Sequence, residues 1–383
     1  MKIVSVRATP VSVRTTRNNV WSRGKGTGFS RTIIEVETDA GLKGVGEAPR
    51  GDTAGIINRH FAPRLIGLEV GEWRSARLRC LPTHRDWGLI CSPVEAMAFG
   101  GIDMALWDLV GKEVGLPLFR VLGGPVREKA PFVAYAYSVD TGEGYTEAQV
   151  PAAMAEVARR AVAETGARMF EFKVGHNSVH CEIDTVRAIR EALGPEIVLS
   201  LDANMGYTIG QARRLLAGIV DLGIGNFEEP VPSLAGMEAL RREFDVPMST
   251  HCTNFEALKH YPLIDGVVGD FHHEGGIIPT MTLAAVTRTH NRQFWLHCYQ
   301  ELGITWAARC HFGMACPEAE RPAQALINWV EDDLILGEPW LVKDGGFRPP
   351  EKPGLGVELD VDGFAQAAET YQKEGEFAYL VAR

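Results

Sequence analysis

The sequence predicts an α/β protein: an N-terminal α+β capping domain, a modified (β/α)8 barrel of the TIM type, and a C-terminal tail that returns to the cap. Three observations carry this. From Arg168 onward, six short apolar segments each bring a charged or imidazole side chain to their end: Arg168–Gly175 with Lys173, Ile197–Asn204 with Asp202, Asn226–Val231 with Glu228, Pro247–Cys252 with His251, Gly266–His272 with Asp270 and Gln293–Cys298 with His297. Those six positions are 29, 26, 23, 19 and 27 residues apart, the length of a parallel strand plus its return helix. Ahead of them lies a strand meander followed by helical stretches, and 383 residues exceed one ordinary core. A barrel of this kind gathers its active site at the carboxyl ends of its strands, so one reactive residue per unit is the pattern to expect.

The elements follow in order. Val4, Val6 and Ala8 alternate with Ser5, Arg7 and Thr9, as in a half-covered strand. Val11 and Val13 resume one residue out of step, so Pro10 marks a bulge or an edge position. Thr15–Gly28 is polar, basic and glycine-containing, and reads as a mobile loop on which Arg23 and Lys25 can reach an anion. Arg31–Asp39 and Lys43–Pro49, joined at Ala40–Gly41, make a hairpin. Pro93–Val114 carries apolar residues at helical spacing and stops at Gly115. The cap is expected over residues 1–127, the barrel over 128–340 and the returning segment over 341–383. In the barrel, Phe132–Ser138 is the expected first strand and Ala325–Trp329 the eighth, with helices such as Ala152–Ala163 and Glu182–Leu193 between. A last helix is expected over Gly363–Gln372.

Composition narrows the function. A net charge of −10 argues against a nucleic-acid groove and against a membrane surface. A small acidic substrate stays compatible, because a pocket field can oppose the global charge. Seven scattered cysteines without a CxxC pair point to reduced thiols. The first residues alternate like a strand rather than a secretion signal, and no apolar run approaches the ~20 residues of a membrane helix. A soluble cytoplasmic protein is expected.

Asp202 and Glu228 end adjacent strands, so their carboxylates can converge on one cation. Such oxygen ligands suit Mg²⁺. His251 is the third candidate ligand and shifts the preference toward Mn²⁺, Fe²⁺ or Zn²⁺, while Asn254 competes as an oxygen donor. Lys173 and His297 fall on opposite sides of that centre. Asp270 can fix the tautomer of His297 and raise its basicity. Lys173, facing a cation, should lose its proton more easily and act as a base. Two bases flanking a metal-bound carboxylate describe abstraction of the proton α to it, giving an enediolate. That combination of a Lys or His base with Mg²⁺ is already known for enolase-superfamily sites. Among neighbouring residues, Cys298 should face away from the pocket by strand alternation, Glu229 should pair with a base outside the metal shell, and His272 and His273 read as loop histidines.

The chain resembles the mandelate-racemase-like branch of that superfamily over nearly its whole length. The resemblance rests on GVGEAP, on IDMALWDLVGKEVGLPL with LGG after it, and on LDAN, FEEPV and GGI. PEKPGLGVELD, the lone Lys173, the Asp270/His297 pair and Tyr135 look most like the glucarate dehydratase subgroup. The resemblance implies α-proton abstraction from an acid sugar and loss of the β-hydroxyl as water, leaving a 2-keto-3-deoxy acid. It implies Lys173 and His297 as bases, Asp270 as the group orienting His297, and Asp202, Glu228 and His251 at the metal positions. It puts Lys25, Tyr135 and Asn204 near substrate. Glu171 stands where the superfamily often has the first lysine of Lys-x-Lys, on the face of Lys173, and is grouped with the substrate contacts. Glu171, His251 and the absence of a histidine in Ile327–Asp333 are departures that point to a hydroxy acid other than glucarate. A racemase or epimerase using the same site, or a non-catalytic scaffold, are the rival readings. A homo-oligomer is expected.

Overall fold

The structure is a computed structural model that describes residues 1–81, 93–139, 141 and 144–377. The cap is a three-stranded antiparallel sheet, β1 (Ile3–Trp21), β2 (Gly24–Thr38) and β3 (Lys43–Pro49), in that order. Pro10 sits opposite Thr32 without a register shift. β1 is an edge strand, so the edge explanation holds: a residue without an N–H does no harm there. The shifts lie elsewhere, between Ile3 and Ser5, which leaves Val4 50% exposed, and between Arg14 and Asn19.

The expected mobile loop over Thr15–Gly28 is instead the far end of this hairpin, paired through Trp21 and Gly24. Its polar residues hid the strand: its buried apolar residues Val20 and Trp21 are adjacent rather than alternating, and the residues at its turn bond to backbone carbonyls. Ser22 Oγ donates to Ala203 O at 2.6 Å, and Arg23 Nε to Asn204 O at 3.0 Å.

One helix, α1 (Pro93–Val114), is buried along most of its length between this sheet and the barrel. Close approach requires glycine there. A Cβ on Gly46 would stand 2.0 Å from Gly101 O, and one on Gly100 would stand 2.9 Å from the Cα of His272. Arg31 and Glu47, 1% and 0% exposed, pair at 2.6 Å across the sheet. Glu47 also accepts the backbone N–H groups of Leu302 and Thr305 at 3.0 and 2.9 Å, which fastens the cap to the barrel.

The barrel strands are β4 (Ala134–Ala136), β5 (Met169–Lys173), β6 (Val198–Asp202), β7 (Ile224–Glu228), β8 (Met248–Thr250), β9 (Gly266–Gly269) and β10 (Gln293–Leu296). All seven are parallel and neighbour one another in chain order. Helices return the chain between them, including α2 (Val150–Thr165), α3 (Val179–Leu193) and α4 (Ile209–Ile219). Their starts are legible in sequence: Ser178 accepts from Cys181 N, and Thr208 with Gln211 forms a capping box. One face of each strand packs outward on these helices through residues such as Phe170, Phe172, Leu199, Leu201 and Phe227. The other face lines the barrel.

The eighth position is displaced from its expected place. Residues 325–329 form no strand, and Ile327–Trp329 is a single 3-10 turn. The bridging falls to Ala323 and Gln324. Val133 N donates to Ala323 O at 3.0 Å on one side, and Gln324 N donates to Leu296 O at 3.1 Å on the other. Pro322 has no N–H to extend the ladder backward. The apolar run after it is buried, but in two directions: Ala325 and Ile327 pack with Trp306 and Phe132, and Leu326 packs with Tyr137.

The C-terminal helix α5 (Val361–Glu374) lies against β1, where Arg14 pairs with Glu374 at 2.7 Å and Phe377 N donates to Ser30 Oγ at 2.8 Å. Upstream, Leu355 N donates to Asp108 Oδ1 on α1 at 2.8 Å. Among the described residues no helix is long and apolar enough to cross a membrane.

Candidate active site

Lys173, Asp202 and Glu228 are register partners across β5, β6 and β7, so three successive strand tips stand side by side. Lys173 Nζ forms an ion pair with Asp202 Oδ2 and donates to Asn204 Oδ1 at 2.7 Å. Its ammonium lies 5.8 Å from the centre of the Tyr135 ring. Asn204, at φ 43°, turns the chain sharply after β6, and its own N–H donates to Asp202 Oδ1 at 2.9 Å. Asp202 and Glu228 are both fully buried. Burial and the charge of Asp202 together push the Glu228 carboxyl up. His251 Nε2 meets Glu228 Oε1 at 3.0 Å. Burial pushes that imidazole down, but the hydrogen bond and charge of Glu228, backed by Glu229 and Asp202, carry it up to about 9.

The ring of His297 stands edge-on to that of His251, with centres 4.6 Å apart. Burial and the neighbouring His251 charge hold His297 well below the usual imidazole range, so it is neutral near pH 7.

The expected hydrogen bond between Asp270 and His297 is not made. Asp270 caps the short helix Phe271–Glu274, and its Oδ1 accepts from His272 N at 2.7 Å and faces His272 Nδ1 at 3.1 Å. The other nitrogen of His272 faces Glu47 O at 2.9 Å. His272, fully buried, is therefore a structural tie between barrel and cap rather than a loop histidine. Burial pushes Asp270 up, yet the charge and hydrogen bond of His272, with His273 and His297 behind it, hold the carboxyl well below its usual range. Among the described residues the buried Nδ1 of His297 has no hydrogen-bond partner.

Four further expectations change. Glu171 does not stand at the mouth, where a substrate contact was expected. Two residues back from Lys173 along β5, it points into the barrel one layer down, 1% exposed, and accepts from Ser200 Oγ at 2.8 Å. Asn226 and Ser249 continue that layer. Lys25 stands on β2 opposite Val20, and hairpin residues that touch the strand ends include Val20, Trp21, Ser22 and Arg23. Among the described residues Glu229 forms no ion pair. It accepts from Thr250 Oγ1 and His251 N at 2.6 and 2.7 Å. Cys298 clusters with Tyr135 and Tyr137 at the barrel mouth, because β10 ends at Leu296 and strand alternation no longer applies. The Asn254 side chain caps the helix Phe255–Leu258, accepting from Ala257 N at 3.2 Å.

Gln324 is a site residue that sequence reasoning missed. Its Nε2 lies 3.2 Å from each carboxylate oxygen of Glu228. Its only sequence signal is its position two residues after Pro322, where the strand was expected to begin a residue later.

Burial, with the charges of Glu228 and Asp202, pushes the Glu171 carboxyl up to about 8, against Ser200 and Arg321. A raised carboxyl favours the protonated form in the fold, so stability drains as pH rises from the ordinary carboxylate range toward 8. Glu171→Gln removes that titration. Its melting temperature relative to the parent, in metal-free buffer, should climb between about pH 4 and pH 8 and level off above. A difference that stays flat across that range would contradict the buried, neutral carboxyl.

Among the described residues no three His, Cys, Asp or Glu side chains are gathered as a metal-binding cluster. The two carboxylates are instead neutralised internally, Asp202 by Lys173 and Glu228 by His251. The donor set nonetheless fits a divalent cation. Two buried carboxylates on neighbouring strand tips, with burial and Asp202 pushing the Glu228 carboxyl up, are the arrangement a hard cation relieves, and an imidazole stands beside them.

The family model described as "Enolase C-terminal domain-like" matches residues 153–363, and that of the "Mandelate racemase / muconate lactonizing enzyme, N-terminal domain" matches residues 5–123. A probable glucarate dehydratase of Streptomyces coelicolor is 29% identical over 360 residues, covering 86% of this chain and 82% of the relative. A D-mannonate dehydratase of Caulobacter vibrioides is 26% identical, covering 88% and 90%. Among solved structures, an enolase of Streptomyces coelicolor without Mg and with an ordered loop superposes with a TM-score of 0.89 at 30% identity, covering 99% of this chain and all (100%) of that one. An enolase of Pseudomonas fluorescens with bound magnesium, potassium and tartrate gives 0.85 at 25% identity, covering 98% and 93%.

Proposed function

Because the chain belongs to the enolase-like family with a mandelate racemase / muconate lactonizing enzyme N-terminal domain, we propose that it abstracts the proton α to the carboxylate of an acid sugar and eliminates water, giving a 2-keto-3-deoxy acid. The observation that carries this is a buried ammonium, Lys173, and a neutral imidazole, His297, flanking two adjacent buried carboxylates at the strand tips. Relatives named as glucarate, D-mannonate, D-xylonate and arabinonate dehydratases support it.

Asp202, Glu228 and His251 would hold a divalent cation, with Mg²⁺ favoured by the relatives crystallised with magnesium. Such a cation supplies charge stabilisation for the substrate carboxylate as its α-proton leaves. The remaining work falls to side chains of this protein. The configuration at the α-carbon decides which base acts: a substrate that turns its α-hydrogen to one face presents it to His297, and one that turns it to the other presents it to Lys173, whose ammonium must first give a proton to solvent to become the free amine. The β-carbon–oxygen bond then breaks with its electron pair, and where His297 has taken the α-proton it returns that proton to the departing oxygen, so water leaves. The resulting enol takes up a proton at the β-carbon as it becomes the keto acid. Tyr135 and Asn204 hold the Lys173 amine in place on either side. Ser22 and Arg23, on the hairpin tip over the strand ends, stand where a cover would exclude water.

The test is a panel of aldarates and aldonates with Mg²⁺ or Mn²⁺, read as 2-keto-3-deoxy acid formed. We expect turnover on at least one member. Exchange of the α-hydrogen in D₂O without elimination on every member would instead select a racemase or epimerase, and neither exchange nor product would overturn the reading.

A further inference from the structure

Gln324 is 1% exposed and bonded at both ends of its amide. Its nitrogen donates to both oxygens of Glu228, each at 3.2 Å, and its oxygen accepts the N–H of Cys298 at 3.0 Å. The opposite amide orientation would set an oxygen against a carboxylate and an NH₂ group against an N–H, so the hydrogen bonds leave one assignment. The backbone of the same residue is held as firmly. Its N–H donates to Leu296 O at 3.1 Å, and its carbonyl accepts from Arg309 Nη2 at 2.6 Å. Arg309, also 1% exposed, donates to the carbonyl of His297 and to Glu301 Oε1 at 2.6 Å. Glu301 in turn accepts from Cys298 Sγ at 2.7 Å and Tyr299 N at 2.9 Å. The turn that carries His297 is thus gripped by Arg309 and Glu301, and one amide joins it to Glu228.

We propose that Gln324 is a positioning residue that sets Glu228 for cation binding and ties that carboxylate to the turn bearing His297. The proposal rests on the cation reading of Asp202, Glu228 and His251 given above. The physical case is the choice of donor. A carboxylate that must bind a cation has to be oriented without being neutralised. A lysine or arginine at this place would add a full positive charge and compete with the cation, whereas a primary amide orients the carboxylate and leaves its charge available. Gln324 has the length to span both partners, and the position it occupies, where the eighth strand shrinks to a bridge, lets it lie between β10 and the interior of the barrel.

The experiment compares metal-free Gln324→Met, Gln324→Asn and Glu228→Gln with the parent. Mn²⁺ affinity is measured by calorimetry, and amide hydrogen exchange is followed at Cys298. Gln324→Met should bind Mn²⁺ about 10- to 100-fold more weakly, the usual consequence of losing a partner of a metal ligand. Its Cys298 amide should exchange faster before any metal is added. Gln324→Asn keeps the amide but is one methylene too short to reach both partners, and should move both readouts in the same direction. It also supplies the measurement if the methionine variant does not fold. Mn²⁺ binding within twofold of the parent in the folded Gln324 variants, with Glu228→Gln at least tenfold weaker, would overturn the role of Gln324 and leave the cation reading standing. Parental Mn²⁺ affinity in Glu228→Gln would overturn the cation reading and this inference with it.

Discussion

Lys173→Met should lower kcat on acid sugars whose α-hydrogen faces Lys173 by about 10³-fold, within the range lost when a positioned acid or base is removed. It should also weaken the metal-free protein more than an ordinary core substitution does. Lys173 is 7% exposed and is the ion-pair partner of a fully buried Asp202. Methionine keeps the stem beside Tyr135 but leaves the carboxylate without its ammonium, and breaking a buried pair from one side costs about 3–5 kcal/mol. Divalent cation should restore more of the lost stability in the variant than it adds to the parent, because in the variant it no longer competes with the ammonium for Asp202. The two effects are read separately, by turnover at saturating metal and by thermal melts with and without Mg²⁺. A kcat within tenfold of the parent would remove Lys173 from the chemistry. Equal gains in melting temperature from Mg²⁺ in both proteins would show that the ammonium and the cation do not share Asp202.

Lys173 could be found from sequence because the spacing of strand tips is imposed by topology. A parallel strand and its return helix need a nearly fixed length, so the residues at 173, 202 and 228 had to arrive side by side, and they do. What the spacing does not carry is the direction in which each side chain bonds once there. Asp270 lies at its expected strand end, yet the start of a helix immediately after it offers nearer partners, and local capping wins over the longer reach to His297. Glu171 follows the same logic in depth: strand alternation correctly gave it the face of Lys173, but a separation of two residues along the strand is a full layer of the barrel. The hairpin tip at Ser22 and Arg23 was hidden for another reason. Its strands are held by paired backbone, by contacts to carbonyls and by Val20 and Trp21, which as adjacent residues leave no hydrophobic period to detect. Gln324 was hidden because the unit it belongs to has shrunk to a bridge, so neither length nor periodicity announces it.

His297→Asn should separate the two faces of the site. For substrates whose α-hydrogen faces the imidazole, kcat should fall by about 10³-fold, as expected for loss of the acting base. For substrates of the opposite α-configuration, Lys173 still removes the proton, so exchange of the α-hydrogen in D₂O should persist. Stability should respond through pH. The imidazole is held neutral, well below its usual range, by burial and by the adjacent His251. A depressed histidine contributes stability that is present above its ordinary range near pH 6.5 and is lost as pH falls toward its folded value. The asparagine variant lacks that titration, so its melting temperature should decline less than the parent's between about pH 6.5 and pH 5. The same neutrality sets the acid limb of the parent's kcat/KM profile for substrates that use His297. The base stays ready below the ordinary imidazole range, and the fall in rate should begin lower than an ordinary imidazole would place it. A parent profile that already breaks near pH 6.5, together with exchange abolished equally for both α-configurations in the variant, would show that one base serves both faces and that the opposed arrangement of Lys173 and His297 is not how the protein handles its substrate.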